Sequence, residues 1–66
     1  MIVLGIDTSL RSSGYGVLSV TGSRMRCLEA GRIRNAPKAP LSACLCTIHA
    51  RVSELIAQYT PDVLSI

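Results

Sequence analysis

One carboxylate near the start of the chain is the residue best placed to do chemistry. Asp7 follows Ile2–Ile6, a run of aliphatic residues and one glycine, and precedes the polar segment Thr8–Ser13. A carboxylate at the end of a buried strand lies at the sheet edge where α/β proteins commonly bind ligands. Asp7 is therefore a candidate ligand-binding residue. The alternative is a structural Asx-turn, in which Asp7 accepts hydrogen bonds from the Ser and Thr residues after it.

Basic residues suggest a second chemistry, contact with phosphates. Seven Lys and Arg residues against four Asp and Glu residues give a net charge of +3, which favours a polyanionic partner. Arg11 is a candidate phosphate contact, and the alternative is an exposed turn arginine without a partner. A possible patch that tracks a nucleic-acid backbone contains Arg24, Arg26, Arg32, Arg34 and Lys38, and a solvated strand face explains the same residues.

Length and composition limit the fold to one small domain, residues 1–66. The chain is 48% hydrophobic, which indicates a folded core and excludes a disordered chain. No stretch reaches the ~20 apolar residues of a membrane span, and no signal peptide is recognisable. Three cysteines cannot all pair within one chain, which favours the reducing cytoplasm.

The elements that must position these residues begin with a predicted hairpin sheet. Strands are predicted over residues 2–6, 14–20 and 25–34, and Thr21–Ser23 forms the connection between the second and the third. The third strand has an irregular pattern, and Gly31 is the predicted position of a β-bulge. Tyr15, between two glycines, is expected to pack against the sheet, and stacking on a base is the alternative.

The second half of the chain predicts a helix and a further strand. Pro40 suits a helix start, Thr60-Pro61 an end, and the apolar stripe between them consists of Leu41, Leu45, Ile48, Val52, Leu55 and Tyr59. Residues 62–66 read as a strand that would lie parallel to the first one after a helical crossover. The predicted fold is therefore α/β, with one sheet face covered by the helix. We expect a second copy of the chain to cover the other face.

Several motifs in consistent order resemble the N-terminal part of the RuvC family of Holliday junction resolvases. They extend over nearly the whole chain and comprise Gly5-Ile6-Asp7, Ser13-Gly14-Tyr15-Gly16-Val17, Gly22-Ser23-Arg24, Ile33-Arg34, Ser53–Tyr59 and Pro61-Asp62. Each motif alone is weak, whereas together, at these spacings, they are specific.

The resemblance implies an RNase H-like fold and a homodimeric endonuclease that cuts four-way DNA junctions in recombination and repair. It implies a divalent metal, usually magnesium and alternatively manganese, with Asp7 as a catalytic metal ligand. The expected DNA contacts are Arg11, Ser13, Arg34 and Lys38. Residues 1–66 would be the N-terminal part of one nuclease domain. A second acid would follow the strand that contains Val63–Ile66, and two more would lie much later, so the 66 residues alone are expected to be inactive.

Two other functions stay open. The segment Thr8-Ser9-Leu10 departs from the Pro-Gly-Ser that is common in the family, so its loop is expected to differ in shape. The ATPase and sugar-kinase superfamily also begins with a strand that ends in Gly-x-Asp, followed by a phosphate-binding hairpin loop. A non-catalytic DNA-binding or dimerising protein is the other alternative.

Overall fold

The computed structural model describes all 66 residues as one four-stranded sheet and one helix. The elements are β1 (Ile2–Asp7), β2 (Ser12–Thr21), β3 (Arg24–Arg34), α1 (Leu41–Tyr59) and β4 (Val63–Ser65). The strand order is β3-β2-β1-β4, in which β2 runs antiparallel to both neighbours and β4 runs parallel to β1. The predicted α/β layout, including the crossover that places the last strand beside the first, is confirmed.

The core lies between α1 and one face of the sheet. Leu4 and Ile6 of β1 pack with Val17 of β2 and Leu55 of α1. Because side chains alternate along a strand, Val3, Gly5 and Asp7 point to the opposite face. No other element of these 66 residues covers that face, which we call the open face.

The β-bulge lies at Leu28, so its prediction at Gly31 was wrong. The pairing of β2 with β3 shifts between Val17, which is opposite Glu29, and Leu18, which is opposite Cys27. Leu28 is the extra residue. The alternation of side chains between the two sheet faces is therefore reversed on passing Leu28. Gly31 instead pairs with Tyr15, whose ring covers it: a Cβ added at Gly31 would lie 2.9 Å from the Tyr15 hydroxyl oxygen. Tyr15 also packs against the core, as predicted.

Gly31→Ala is expected to destabilise the fold by about 1 to 2 kcal/mol, because the new methyl group displaces the Tyr15 ring. The matched control is Gly16→Ala, since a Cβ there meets no atom within 4 Å. Urea denaturation followed by circular dichroism would measure both free energies of unfolding. Equal effects of the two substitutions would contradict the role assigned to Gly31.

The helix has the predicted limits but only part of the predicted buried stripe. Leu55 is fully buried, whereas Leu41 and Leu45 are 60% and 53% exposed. Cys44 occupies the buried position in the first turns of α1, and no element of these residues reaches the flank that carries the two exposed leucines. At the other end, Thr60 adopts the left-handed conformation and donates its N–H to the carbonyl of Ile56, which ends the helix. No helix is long and apolar enough to cross a membrane.

A polar cluster around Glu29 fastens α1 to the sheet. The Glu29 carboxylate accepts hydrogen bonds from the hydroxyls of Tyr15 and Tyr59, both at 2.6 Å, and from the Arg51 guanidinium at 2.7 Å. Arg51 also donates to the Tyr15 hydroxyl and lies over its ring, 5.5 Å from the ring centroid. Arg51 also forms a salt bridge with Glu54 on the same helix, at 3.1 Å. The cluster joins β2, β3 and α1 and so fixes the helix orientation.

Stability is expected to fall in acid because of this cluster. Hydrogen bonds from Tyr15, then from Tyr59, together with the positive charge of Arg51, lower the pKa of Glu29 below its ordinary value of 4.5. A carboxyl with a depressed pKa stabilises the fold fully above its unfolded pKa. That contribution is lost as the pH falls below 4.5 and through the folded pKa.

Unfolding midpoints in urea between pH 3 and pH 7 would measure this loss. Glu29→Gln is the matched control, because it keeps the shape of the side chain and removes its titration. An equally steep acid dependence in the variant would assign the effect to other carboxylates.

Candidate metal and nucleic-acid site

Asp7 lies at the last position of β1, at the edge of the sheet. Its side chain is exposed and takes part in neither salt bridge of the structure. It pairs with Gly14, which in turn pairs with Arg32, so these residues form one row across three strands on the open face. The glycine in the middle of the row leaves the Asp7 carboxylate open to solvent on that side. We call this end of the sheet the Asp7 edge.

The register of β4 determines what can lie next to Asp7. Val3, Leu4 and Gly5 pair with Val63, Leu64 and Ser65. Continued by two residues, this register places Ile66 beside Ile6 and the position after Ile66 beside Asp7. A second acidic ligand at that position would therefore share one sheet edge with Asp7.

The Ser13 side chain holds the loop after Asp7, which argues against its predicted role as a DNA contact. Its side chain is fully buried. The hydroxyl donates a hydrogen bond to the carbonyl of Ser9 at 2.7 Å and accepts one from the N–H of Ser9 at 3.1 Å. Both bonds close the turn from within, so the hydroxyl is not available to a phosphate at the surface.

Ser13→Ala is expected to cost about 1 to 2 kcal/mol of stability, because it leaves the N–H and carbonyl of Ser9 without their partner. If the chain binds duplex DNA, that binding should keep the same salt dependence, since no phosphate contact is removed. Thermal denaturation and fluorescence anisotropy would test the two statements. The neighbouring exchange Ser12→Ala, at a less buried hydroxyl, is the control for both measurements.

Arg11 has partners, contrary to the view of a free turn arginine. One terminal nitrogen of its guanidinium donates to the carbonyls of Ala36 and Ala39, at 3.0 and 2.9 Å, and lies 3.3 Å from the sulfur of Cys44. The residue as a whole is exposed. Arg11 therefore joins the Asp7 loop to the start of α1 through one guanidinium nitrogen. The other two guanidinium nitrogens make no hydrogen bond.

Asn35 was missed by the sequence reasoning. Its side-chain amide donates to the carbonyl of Leu10 at 2.8 Å and to that of Cys44 at 3.4 Å. Its backbone N–H donates to the carbonyl of Arg11 at 3.0 Å. The only signal in the sequence was the position of this asparagine, directly after a strand and two residues before a proline. Asparagine is common in loops, so this position did not reveal its distant partners.

The basic residues form two groups, so the predicted single patch was wrong. Arg34 and Lys38 are exposed at the Asp7 edge, where Arg34 pairs with Ser12. Arg24 and Arg26 lie at the far end of the sheet. The bulge at Leu28 reverses the alternation, so the two groups also point to opposite faces. Arg32 joins the first group and donates to the hydroxyl and carbonyl oxygens of Ser12, both at 3.3 Å.

The residues at the Asp7 edge can supply one ligand to a divalent metal ion. Asp7 offers an accessible carboxylate, the hard oxygen ligand that magnesium prefers. Nowhere do three His, Cys, Asp or Glu residues come together as a metal site would require. Asp7 is therefore the one candidate metal ligand at this edge of the sheet.

A hairpin sheet, a helical crossover to a parallel strand and a carboxylate at the end of the first strand define the first part of an RNase H-like fold. The structure of Thermus thermophilus RuvC in complex with a Holliday junction substrate matches this arrangement with a TM-score of 0.90 and 32% identity, over 97% of this chain and 39% of that one. The family model described as crossover junction endodeoxyribonuclease RuvC matches residues 3–66. The chain belongs to the RuvC family.

Curated relatives agree with this assignment. A crossover junction endodeoxyribonuclease RuvC from Burkholderia thailandensis is 44% identical over 66 residues, which are 100% of this chain and 36% of that protein. The protein of the same description from Alkaliphilus metalliredigens is 35% identical over 100% of this chain and 40% of its own length. The chain thus spans about two fifths of the length of these relatives.

Proposed function

We propose that residues 1–66 form the first part of a metal-dependent endonuclease that cuts four-way DNA junctions in recombination and repair. The observation that carries the proposal is the exposed, unpaired Asp7 at the end of β1, in a chain that matches the RuvC family over residues 3–66. Asp7 has the metal-ligand and catalytic role in this proposal. Further acidic ligands must come from residues beyond Ile66, the first of them at the position beside Asp7.

Divalent metal, with magnesium as the first choice and manganese as the second, would activate water and stabilise the leaving oxygen of the phosphodiester. Asp7 would hold this cation at the sheet edge through a carboxylate oxygen. The loop after Asp7 is held in one conformation by hydrogen bonds from Ser13, Arg11 and Asn35. The Asp7 carboxylate therefore keeps its position at the sheet edge. Phosphates of the bound DNA would lie along the Asp7 edge, against Arg34, Lys38 and the free nitrogens of Arg11.

A homodimer is part of the proposal, because a four-way junction is cut symmetrically and two equal sites in a two-fold arrangement fit that symmetry. The open face of the sheet is free to take a second copy or a later part of the protein. We also propose the cytoplasm as the compartment, in line with three cysteines that form no disulfide.

The family match favours this function over a nucleotide-binding ATPase. The loop after Asp7 has Ser9 and Leu10 where that superfamily usually has Gly-Thr pairs. Nucleotide binding in calorimetry would restore the ATPase interpretation. A DNA-binding or dimerising protein without catalysis would instead show salt-dependent junction binding and no cleavage in any metal.

The experiment is a chimera in which residues 1–66 replace the matching part of T. thermophilus RuvC, which the backbone similarity permits. We expect it to cut a synthetic four-way junction in magnesium and to be inactive in EDTA. A linear duplex of the same sequence is the control substrate. A folded chimera that binds the junction but cuts nothing in magnesium or manganese would overturn the catalytic proposal.

A further inference from the structure

The tip of the β2–β3 hairpin projects from the sheet. Met1, just before β1, and Val20 of β2 exchange two backbone hydrogen bonds, and only Thr21–Arg24 of the β2–β3 hairpin extend beyond them. Gly22, with φ of 60°, makes the tight two-residue turn. Every residue from 21 to 28 is exposed, and Met25 is 69% exposed. We call residues 20–27 the hairpin tip.

The hairpin tip is a positive surface without a counter-charge. Arg24 and Arg26 are its only charged side chains, and neither takes part in a salt bridge. No acidic residue occurs between Asp7 and Glu29, and Glu29 is itself paired with Arg51. The two arginines are two residues apart on one strand, so their side chains lie on the same side, about 7 Å apart.

The hairpin tip and Asp7 cannot contact the same short stretch of a ligand. Asp7 pairs with Gly14, whereas Arg26 pairs with Ser19, five residues or about 17 Å further along β2. Ser19 also pairs with Ile2, which packs against the core, so the register places Arg26 on the face of α1. Asp7 points to the open face. The two regions therefore differ in both end and face.

We propose that the hairpin tip binds the phosphate backbone of a nucleic-acid segment other than the one at the Asp7 edge. Two unpaired guanidinium groups on one strand, beside a tight turn, suit phosphate oxygens, which they contact without reading sequence. The exposed Met25 between them lies on the opposite side of the strand and does not separate them. The inference goes beyond the proposed function, because this contact needs neither metal nor a catalytic acid.

The test uses the 66-residue chain and a 20-base-pair duplex in EDTA. Fluorescence anisotropy gives the binding constant at several salt concentrations. The slope is that of the logarithm of the binding constant against the logarithm of the salt concentration. We expect Arg24→Gln with Arg26→Gln to reduce that slope by about 2, one unit for each lost phosphate contact. The matched control, Arg24→Lys with Arg26→Lys, should keep the slope because it keeps both charges. NMR amide shifts of Arg24 and Arg26 on addition of the duplex give an independent readout.

Three results would overturn the proposal: an unchanged slope in the glutamine variant, amide shifts confined to the Asp7 edge, or no binding at low salt. A polyglutamate peptide that binds the hairpin tip as tightly as the duplex would also overturn it, in favour of an acidic protein partner. Failure of the chimera to cut a junction would leave this result standing, since binding is measured without metal.

Discussion

Asp7→Asn should reduce junction cleavage by the chimera at least about 100-fold in magnesium, the scale of a catalytic group that is removed outright. The amide keeps the size of the side chain and one oxygen. It lacks the negative charge that attracts a divalent cation, so the metal site loses a ligand of full strength. Cleavage rates at saturating enzyme, measured as a function of magnesium concentration, would show the loss.

The matched control is Asp62→Asn. Asp62 is also exposed, but its carboxylate accepts a hydrogen bond from the N–H of Ile2 at 2.7 Å, at the opposite end of β1 from Asp7. Cleavage by this variant should stay within about threefold of the parent, while stability falls by about 1 kcal/mol. Junction binding in EDTA should survive both substitutions. Cleavage by Asp7→Asn within tenfold of the parent would contradict the role of Asp7 as a metal ligand.

Leu55→Ala should destabilise the chain by about 3 kcal/mol, the usual range for a buried leucine being about 2 to 5. Leu55 is fully buried and is the member of the four-residue core that comes from α1. The lost methyl groups leave a cavity between the helix and the sheet. A 66-residue domain buries only about 60% of its unfolded surface and is marginally stable, so we expect a largely unfolded variant at 37 °C.

Leu45→Ala on the same helix is the control, because the same atoms are removed from a side chain that is 53% exposed. It should cost less than about 1 kcal/mol. Urea denaturation at 10 °C, where both variants are expected to be partly or wholly folded, would give the two free energies. Equal losses would mean that Leu55 is not the contact that holds α1 to the sheet in solution.

Local patterns were enough to predict most of the fold. The helix from Leu41 to Tyr59 follows from one apolar stripe with a proline at each end, and the parallel β4 follows from the general rule for crossovers. The bulge was assigned to the wrong residue because a glycine in a strand marks either a bulge or a place where another group approaches closely. At Gly31 the explanation is the Tyr15 ring that lies over it, which is a contact between strands and leaves no trace in the alternation of β3.

The position of the candidate ligand was predictable from the sequence, whereas the contacts of the loop beside it were not. Asp7 was identified because it interrupts an apolar strand, and its exposure agrees with that interpretation. The contacts of Ser13 and Asn35 could not be predicted, because their partners lie across the loop and on α1. The Glu29 cluster was missed for the same reason, because its hydrogen-bonded partners lie 14 to 36 residues apart in the chain.

The register between β1 and β4 has a kinetic consequence. The hairpin of β2 and β3 forms from neighbouring residues, whereas the bond from Ile2 to Asp62 joins positions 60 residues apart. Contacts of such sequence separation form late, because loop closure costs entropy before the contact is gained. The pairing of β4 with β1 is thus expected late in folding. On the proposed function, the acidic ligand after Ile66 would come to lie beside Asp7 only after β4 has paired with β1.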